Sequence, residues 1–261
     1  MPTDPSKILC AVADGVGRVT INQPERRNAM SSHMWDLLAD AFERLAVADT
    51  VHCAVLSGAG GKAFISGADL TEKPDPNEDP AAAPRRFKRG LSALQNFPKP
   101  LIAQIEGFCL GGGMAIALQA DFRIASDDAR FGIPASKLGR SYSYDLIAKL
   151  ISLIGESEAR MMLLLGEPMN AAEALRIGLA QRVVAKADLA ETVNGMARTI
   201  AANAPLSVRG MKRVIDDVVR QQAGTETAAA KDAIAACANS HDAQEGRIAF
   251  NEKRPPRFTG R

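Results

Sequence analysis

Two glycine-rich segments contain the groups best suited to chemistry. The first, at residues 62–70, reads KAFISGADL, and the second, at residues 107–121, reads GFCLGGGMAIALQAD. Glycines leave backbone N–H groups accessible where a strand gives way to a helix. Two N–H groups aimed at one point form an oxyanion hole, which stabilises negative charge on a carbonyl oxygen. The two segments therefore predict chemistry at a polarised carbonyl.

Alternating strands and helices are predicted to position these segments. A hairpin turning at Asp14-Gly15 and a helix capped by Ser31 come first. Three further strands and a short apolar helix follow, so the pattern favours an α/β core with near-parallel crossovers. The predicted strands are 8–14, 16–22, 51–57, 101–105 and 122–125, and the helices are 31–48 and 111–119.

The remaining chain divides into a predicted loop and a helical region. Residues 71–89 are rich in proline and charge, which favours a mobile surface loop. From Glu156 onward the pattern is helical, with helices at 207–220 and within 225–244. We place a soft boundary near residue 200, giving a core of residues 1–200 and a helical region of 201–261. The last helices either cover the core of a single domain or dock on a neighbouring subunit.

Composition argues against several classes of function. The 261 residues include 32 basic and 30 acidic side chains, a balance that argues against a nucleic-acid surface. No apolar run reaches membrane-spanning length, and the first residues do not resemble a secretory signal. The four cysteines lack CxxC spacing and the three histidines lack metal-ligand spacing. We expect a cytoplasmic protein with reduced thiols, no bound metal and no membrane partner.

Six motifs, in order along nearly the whole chain, resemble those of the enoyl-CoA hydratase/isomerase superfamily, the crotonases. They are INQPERRNAM at 21–30, AFISGADL at 63–70, PKPLIAQIEGFCLGGG at 98–113, ARFGIPASKLG at 129–139, NAAEALRIGLAQRVV at 170–184 and DAQEGRIAFNEKRPPRF at 242–258.

The resemblance implies a fold, a substrate and an assembly. The fold would be an α/β spiral of ββα units with a C-terminal helical trimerisation region, forming a homotrimer or a hexamer made of two trimers. The substrate would be a coenzyme A thioester, with no bound prosthetic group. By motif position, the N–H groups of Ala68 and Gly112 would hold the thioester oxygen. The positions implied in coenzyme A binding are Ala29, Ala68, Asp69, Leu70, Gly112 and Lys253.

The chain departs from the hydratases of this superfamily at two positions. Their two catalytic glutamates correspond to Ala115 and Ala135 here, and methyl groups cannot transfer protons. Glu106 and Glu72 do not obviously replace these glutamates, because we expect Glu106 to point outside the pocket and Glu72 to be a solvated charge. Hydration by the usual two-glutamate route is therefore not expected.

The segment LGRSYSYDLIAKL at 138–150 offers an alternative. It is similar to the methylmalonyl-CoA decarboxylases of the superfamily, which have a tyrosine at the position of Tyr142. Those enzymes differ in having a histidine at the position of Ala68 and a glutamate at that of Ala115. Tyr142 either orients a carboxylate or packs as a pocket wall. Asp145 is either an acid/base or a first-turn charge at a helix N-terminus.

Decarboxylation generates an enolate without a base, so the missing glutamates are compatible with it. We therefore favour an acyl-CoA lyase that decarboxylates a small malonyl-type thioester through an enolate held by Ala68 and Gly112. One alternative is a non-catalytic acyl-CoA-binding protein. Another is an enoyl-CoA hydratase or isomerase with non-standard acid/base residues.

Overall fold

The computed structural model describes residues 4–72 and 77–259, which form two sheets surrounded by helices. The larger sheet has the order β1-β2-β3-β5-β7-β10, with strands β1 Ile8–Ala13, β2 Val16–Ile21, β3 Cys53–Gly58, β5 Leu101–Ile105, β7 Phe122–Ser126 and β10 Arg182–Val184. The smaller sheet has the order β4-β6-β8-β9, with strands β4 Ala63–Ile65, β6 Phe108–Leu110, β8 Arg130–Gly132 and β9 Met169–Asn170. The helices are α1 Ser32–Val47, α2 Ala82–Gln95, α3 Gly112–Ala117, α4 Tyr144–Leu165, α5 Ala171–Arg176, α6 Leu189–Ala202, α7 Pro205–Ala223, α8 Ala228–Ala238 and α9 His241–Glu252.

A repeated strand–strand–helix unit generates both sheets. In the units β3-β4-α2, β5-β6-α3 and β7-β8-α4, the first strand joins the larger sheet and the second joins the smaller one. Corresponding strands of successive units are parallel. The predicted α/β spiral is therefore confirmed, and it brings the ends of β4 and β6 together, where the two glycine-rich segments lie.

The amino-terminal hairpin forms as the sequence predicts. β1 and β2 are antiparallel, and Ile8 pairs with Ile21. The turn residues Asp14 and Gly15 both have positive φ, +50° and +77°. Such a turn matches the natural twist of a two-stranded ribbon, which explains the Asp-Gly signal.

The prediction of a loop through residue 89 was wrong in its second half, because α2 begins at Ala82. Residues 73–76 of that predicted loop lie outside the described ranges. Arg86 donates to Asp36 of α1 at 3.0 Å, and Arg89 donates to Asp40 at 2.6 Å. Gly90 lets the helices approach closely, since a β-carbon there would lie 2.7 Å from the Trp35 ring. Ion pairs with α1 thus offset the charge density that suggested a loop.

The C-terminal region consists of three helices. The predicted stretch 225–244 is divided into α8 and α9 by a break at Asn239-Ser240, where Ser240 caps α9. On α7, one apolar row is exposed to solvent, comprising Met211, Val214, Ile215 and Val218. Within the described ranges, no helix is long and apolar enough to cross a membrane. The division near residue 200 stays a prediction.

Candidate active site

The backbone at Ala68 is oriented by an extended pairing with Met30. The Met30 N–H donates to the Gly67 carbonyl, and the Asp69 N–H donates to the Met30 carbonyl, both at 2.8 Å. Because successive N–H groups of an extended strand point to opposite sides, that of Ala68 points away from Met30. Ala68 is exposed although Gly67 is buried, so this N–H lies at an accessible surface.

Gly112, the first residue of α3, lies directly beside Ala68. A β-carbon built on Gly112 would be 3.5 Å from the Ala68 nitrogen. The first intrahelical bond of α3 joins the Ala115 N–H to the Gly111 carbonyl at 3.0 Å, so the Gly112 N–H precedes the bonded helix. The structure therefore places the two predicted oxyanion donors together, at the positive end of a helix.

Tyr142 contacts the same turn from another side. Its hydroxyl donates to the Gly111 carbonyl, which also accepts from Ala115. That carbonyl and the Gly112 N–H belong to one planar trans peptide and point in opposite directions. Fixing the carbonyl therefore fixes the direction of the predicted oxyanion donor. Burial raises the pKa of Tyr142, so the phenol is neutral and carries its proton.

The two positions aligned with hydratase glutamates carry no ionisable group. Ala115 is buried within α3, and Ala135 is a half-buried residue at the start of a 3-10 turn, Ser136–Leu138. Asp145 is exposed in the first turn of α4, where its charge favours the helix N-terminus. The structure thus shows Asp145 in the position of a helix-terminal charge, and its acid/base role stays a prediction.

The other nearby carboxylates have structural partners. Glu72 accepts the N–H of Ser32 at 2.7 Å and so caps α1. The expectation that Glu72 is a solvated charge was therefore wrong, because the sequence does not show that residue 72 returns to the start of α1. Glu106 forms an ion pair with Lys186 at 3.1 Å.

A buried arginine holds the far end of α3, and sequence analysis missed it. Arg123 is only 1% exposed and donates to the carbonyls of Ala117, the last residue of α3, at 3.3 Å, Ala120 at 2.7 Å and Leu179 at 2.6 Å. A cation near the last carbonyls complements the helix dipole. Burial lowers the pKa of Arg123 to about 10, which still leaves it charged at neutral pH. Its only signal in the sequence is a charge inside an otherwise apolar strand.

Asn28 is a second buried anchor that sequence analysis missed. Its side chain donates to the carbonyls of Ala59 and Ala63 at 2.9 and 2.7 Å and accepts from the Gln23 N–H at 2.9 Å. Asn28 also adopts a positive φ of +57°. These bonds shape the turn carrying Ala29, which is half-buried beside the Ala68 segment.

The remaining predicted coenzyme A residues are in different surroundings. The Asp69 carboxylate accepts from Arg26 and Thr71, both at 2.6 Å, and Leu70 is half-buried. Burial opposes ionisation of Asp69, but the Thr71 and Arg26 bonds outweigh it and lower its pKa. Lys253 is exposed at the end of α9. Their roles in binding coenzyme A stay predictions.

Comparison with known proteins agrees with this fold. The profile of the family described as enoyl-CoA hydratase/isomerase matches residues 11–261. A short-chain-enoyl-CoA hydratase from Clostridium acetobutylicum is 34% identical over 92% of each chain. An (E)-benzylidenesuccinyl-CoA hydratase from Thauera aromatica is 35% identical over 97% of this chain and 99% of its own.

A solved structure of methylmalonyl-CoA decarboxylase in complex with 2-nitronate-propionyl-CoA superimposes with a TM-score of 0.87 at 27% identity. It covers 98% of this chain, and 99% of its own chain is matched. The spiral of two sheets is thus a crotonase fold, which confirms the predicted class. The chain belongs to the enoyl-CoA hydratase/isomerase family and is an acyl-CoA enzyme of that family.

Proposed function

We propose that this enzyme decarboxylates a small malonyl-type coenzyme A thioester. The observation that carries the proposal is the combination of two adjacent backbone donors, Ala68 and Gly112, with methyl groups at positions 115 and 135. The donors can stabilise an enolate oxygen, whereas the methyl groups can neither activate water nor remove a proton. Decarboxylation needs the backbone donors, but it does not need a group that activates water or removes a proton.

The electron flow follows from this arrangement. The bond between the α-carbon and the substrate carboxylate breaks, carbon dioxide leaves, and the electron pair enters the enolate. Negative charge then develops on the thioester oxygen, where the Ala68 and Gly112 N–H groups would bind it. A proton from water completes the reaction at the α-carbon. One such donor typically contributes about 10²–10³ in rate.

Tyr142 would act as a positioning residue in this scheme. Its hydroxyl proton is engaged by the Gly111 carbonyl, so it holds the peptide that carries the Gly112 donor. Bonding at the carbonyl also polarises the peptide and strengthens its N–H as a donor. Direct contact of Tyr142 with the substrate carboxylate would require that bond to break.

Coenzyme A would lie along the Ala29 turn and the segment Asp69 to Leu70, where backbone groups are near the accessible Ala68. Lys253 would approach its phosphates. We infer a homotrimer or a hexamer made of two trimers, and the exposed apolar row on α7 supports such an interface.

Hydration is a second candidate, because relatives such as the Clostridium and Thauera proteins are named hydratases. Hydration would require a carboxylate from elsewhere in the chain, because the usual two positions are alanines. A protein that only binds acyl-CoA is the third candidate, since it would retain the same backbone site.

Mass spectrometry of the purified protein with a panel of acyl-CoA esters separates these candidates. The panel contains short and medium enoyl-CoAs, malonyl-CoA and methylmalonyl-CoA. Loss of carbon dioxide from one ester supports the proposal. Addition of water to an enoyl ester contradicts it, and an unchanged panel with one ester retained by the protein indicates a binding role.

A further inference from the structure

Arg140 and Arg247 lie on the two sides of the contact between α9 and the turn after Ala135. A β-carbon on Gly246 would lie 2.5 Å from the Leu138 carbonyl, and one on Gly139 would lie 2.3 Å from the Asp242 carbonyl. This close backbone contact brings Arg247 and Arg140 near each other. Loss of hydration lowers the pKa of Arg140, and the positive charge of Arg247 lowers it further.

Each arginine is tied to one of the two segments that form the oxyanion site. Arg247 donates to the backbone carbonyl of Glu72 at 2.9 Å, four residues after Ala68. The Arg140 N–H donates to the Ala135 carbonyl at 2.9 Å, and Tyr142, two residues further on, is bonded to Gly111. The pair therefore lies beside the site and not on a remote surface.

Neither guanidinium is neutralised by a carboxylate within residues 4–72 and 77–259. Arg140 is exposed and has no hydrogen bond or ion pair from its side chain in that part of the chain, and half-buried Arg247 bonds a neutral carbonyl. The neighbouring carboxylates are engaged elsewhere: Asp69 by Arg26, Glu72 by the Ser32 N–H, Asp242 by the Thr259 N–H and Glu245 by Arg254. Two neighbouring like charges that have no counter-ion among the described residues attract an external anion.

We propose that Arg140 and Arg247 bind a free carboxylate on the acyl part of the thioester. This inference rests on the proposed function and names the substrate feature that the protein selects. A planar guanidinium matches a carboxylate through paired N–H bonds. Arg140 belongs to the segment that contacts the Gly111 turn, next to Gly112, the predicted donor to the thioester oxygen, whereas Ala29, Asp69 and Leu70 are on the other segment. Lys253, predicted for the coenzyme A phosphates, follows α9, which also carries Arg247. The acyl carboxylate is thus the anion within reach, and the coenzyme A phosphates are the alternative source of negative charge.

Isothermal titration with matched ester pairs tests this site. Malonyl-CoA is compared with propionyl-CoA, and succinyl-CoA with butyryl-CoA, so that a methyl group replaces the carboxylate in each pair. The wild type is expected to prefer the acid in at least one pair. Arg140→Gln and Arg247→Gln are expected to weaken binding of that acid by about tenfold, the lower end for a charge-assisted bond, without changing its neutral partner. Arg140→Lys, which keeps the charge but not the paired N–H groups, should retain only part of the preference.

The controls assign each result to one cause. Arg44→Gln, on an exposed part of α1, should change neither ester, and circular dichroism checks that every variant is folded. Equal weakening of acids, neutral esters and free coenzyme A would overturn the proposal in favour of a phosphate site. Unchanged preference in both variants would overturn it as well. Failure of every ester to bind the wild type would instead refute the proposed function, and this inference with it.

Discussion

Gly112 and Gly113 are neighbours in sequence, but a methyl group would have opposite consequences at the two positions. At Gly112 its contacts would be 3.4–3.7 Å, which is ordinary packing, and they would lie against Gly67 and Ala68. At Gly113 the methyl would lie 2.3 Å from the Ile65 carbonyl. Gly112 therefore keeps the predicted oxyanion site open, and Gly113 permits close packing of α3 on β4.

We therefore predict that alanine at position 112 lowers activity, whereas alanine at position 113 lowers stability. Gly112→Ala should lower kcat by about 10²–10³, because its methyl covers the Ala68 donor. It should change the free energy of unfolding by less than about 1 kcal/mol. Gly113→Ala should lower the free energy of unfolding by about 1–3 kcal/mol through overpacking. Steady-state kinetics and urea denaturation measure both effects, and equal activity in the wild type and Gly112→Ala would exclude the assigned oxyanion site.

Tyr142→Phe tests the positioning role of the hydroxyl. The ring is kept and Gly111 retains its bond from Ala115, so we expect kcat to fall by up to about tenfold, as for loss of one neutral hydrogen bond, with KM unchanged. Tyr144→Phe is the matched aromatic control. A rise in KM confined to carboxylated esters would show instead that Tyr142 binds the substrate carboxylate directly.

At the scale of elements, Glu245 of α9 binds the residues that follow the helix. Glu245 accepts from both terminal nitrogens of Arg254, at 2.6 and 2.9 Å, and from the Arg257 N–H at 2.7 Å. The Arg254 bonds, followed by the Arg257 bond, lower the pKa of Glu245 from 4.5 to about 2. Because the folded-state pKa is depressed, the stabilisation is present above about pH 4.5 and is lost as the pH falls towards 2.

This linkage predicts a pH-dependent effect of Glu245→Gln. At pH 7 the variant should exchange the amide hydrogens of α9 faster than the wild type, and the difference should shrink as the pH falls from 4.5 towards 2. Hydrogen exchange corrected for intrinsic rates measures it. Glu191→Gln, which removes an exposed pair with Arg198, should have little effect at any pH. A pH-independent difference would mean that lost packing, and not lost charge, is responsible.

At the scale of the whole molecule, the exposed row on α7 is unusual for a monomer. Met211, Val214 and Ile215 are each about 60% exposed on one helix. Apolar patches of this kind mark interaction surfaces, because water solvates them poorly.

We therefore predict that a charge in this row disrupts the inferred oligomer. Val214→Glu should reduce the mass measured by light scattering from a trimer or hexamer towards one chain, while circular dichroism remains unchanged. Val47→Glu, at an exposed valine outside the row, should leave the mass as in the wild type. A monomeric wild type would contradict the inferred assembly.

Much of this architecture is local and could be predicted from the sequence. The hairpin at Asp14-Gly15, α1 and β5 depend on turn chemistry and periodicity, which act over a few residues. The oxyanion segments were predicted from their glycines and their family motifs, and Ala115 and Ala135 from their positions in the same motifs. Helix α2 was missed because its charges are compensated by α1, some 50 residues earlier in the chain.

The tertiary structure alone decided how groups distant in sequence meet. The Arg123 bond to Leu179, the Glu72 cap of α1 and the contact of Tyr142 with Gly111 each join residues that no local pattern relates. Arg140 and Arg247 are more than 100 positions apart and become neighbours only because α9 packs on the turn after Ala135. The sequence by itself determined the fold and predicted the backbone donors, since both are encoded by short motifs. The placement of charged groups around these donors depends on folding, because the strength of an electrostatic interaction depends on distance in space and not on separation along the chain.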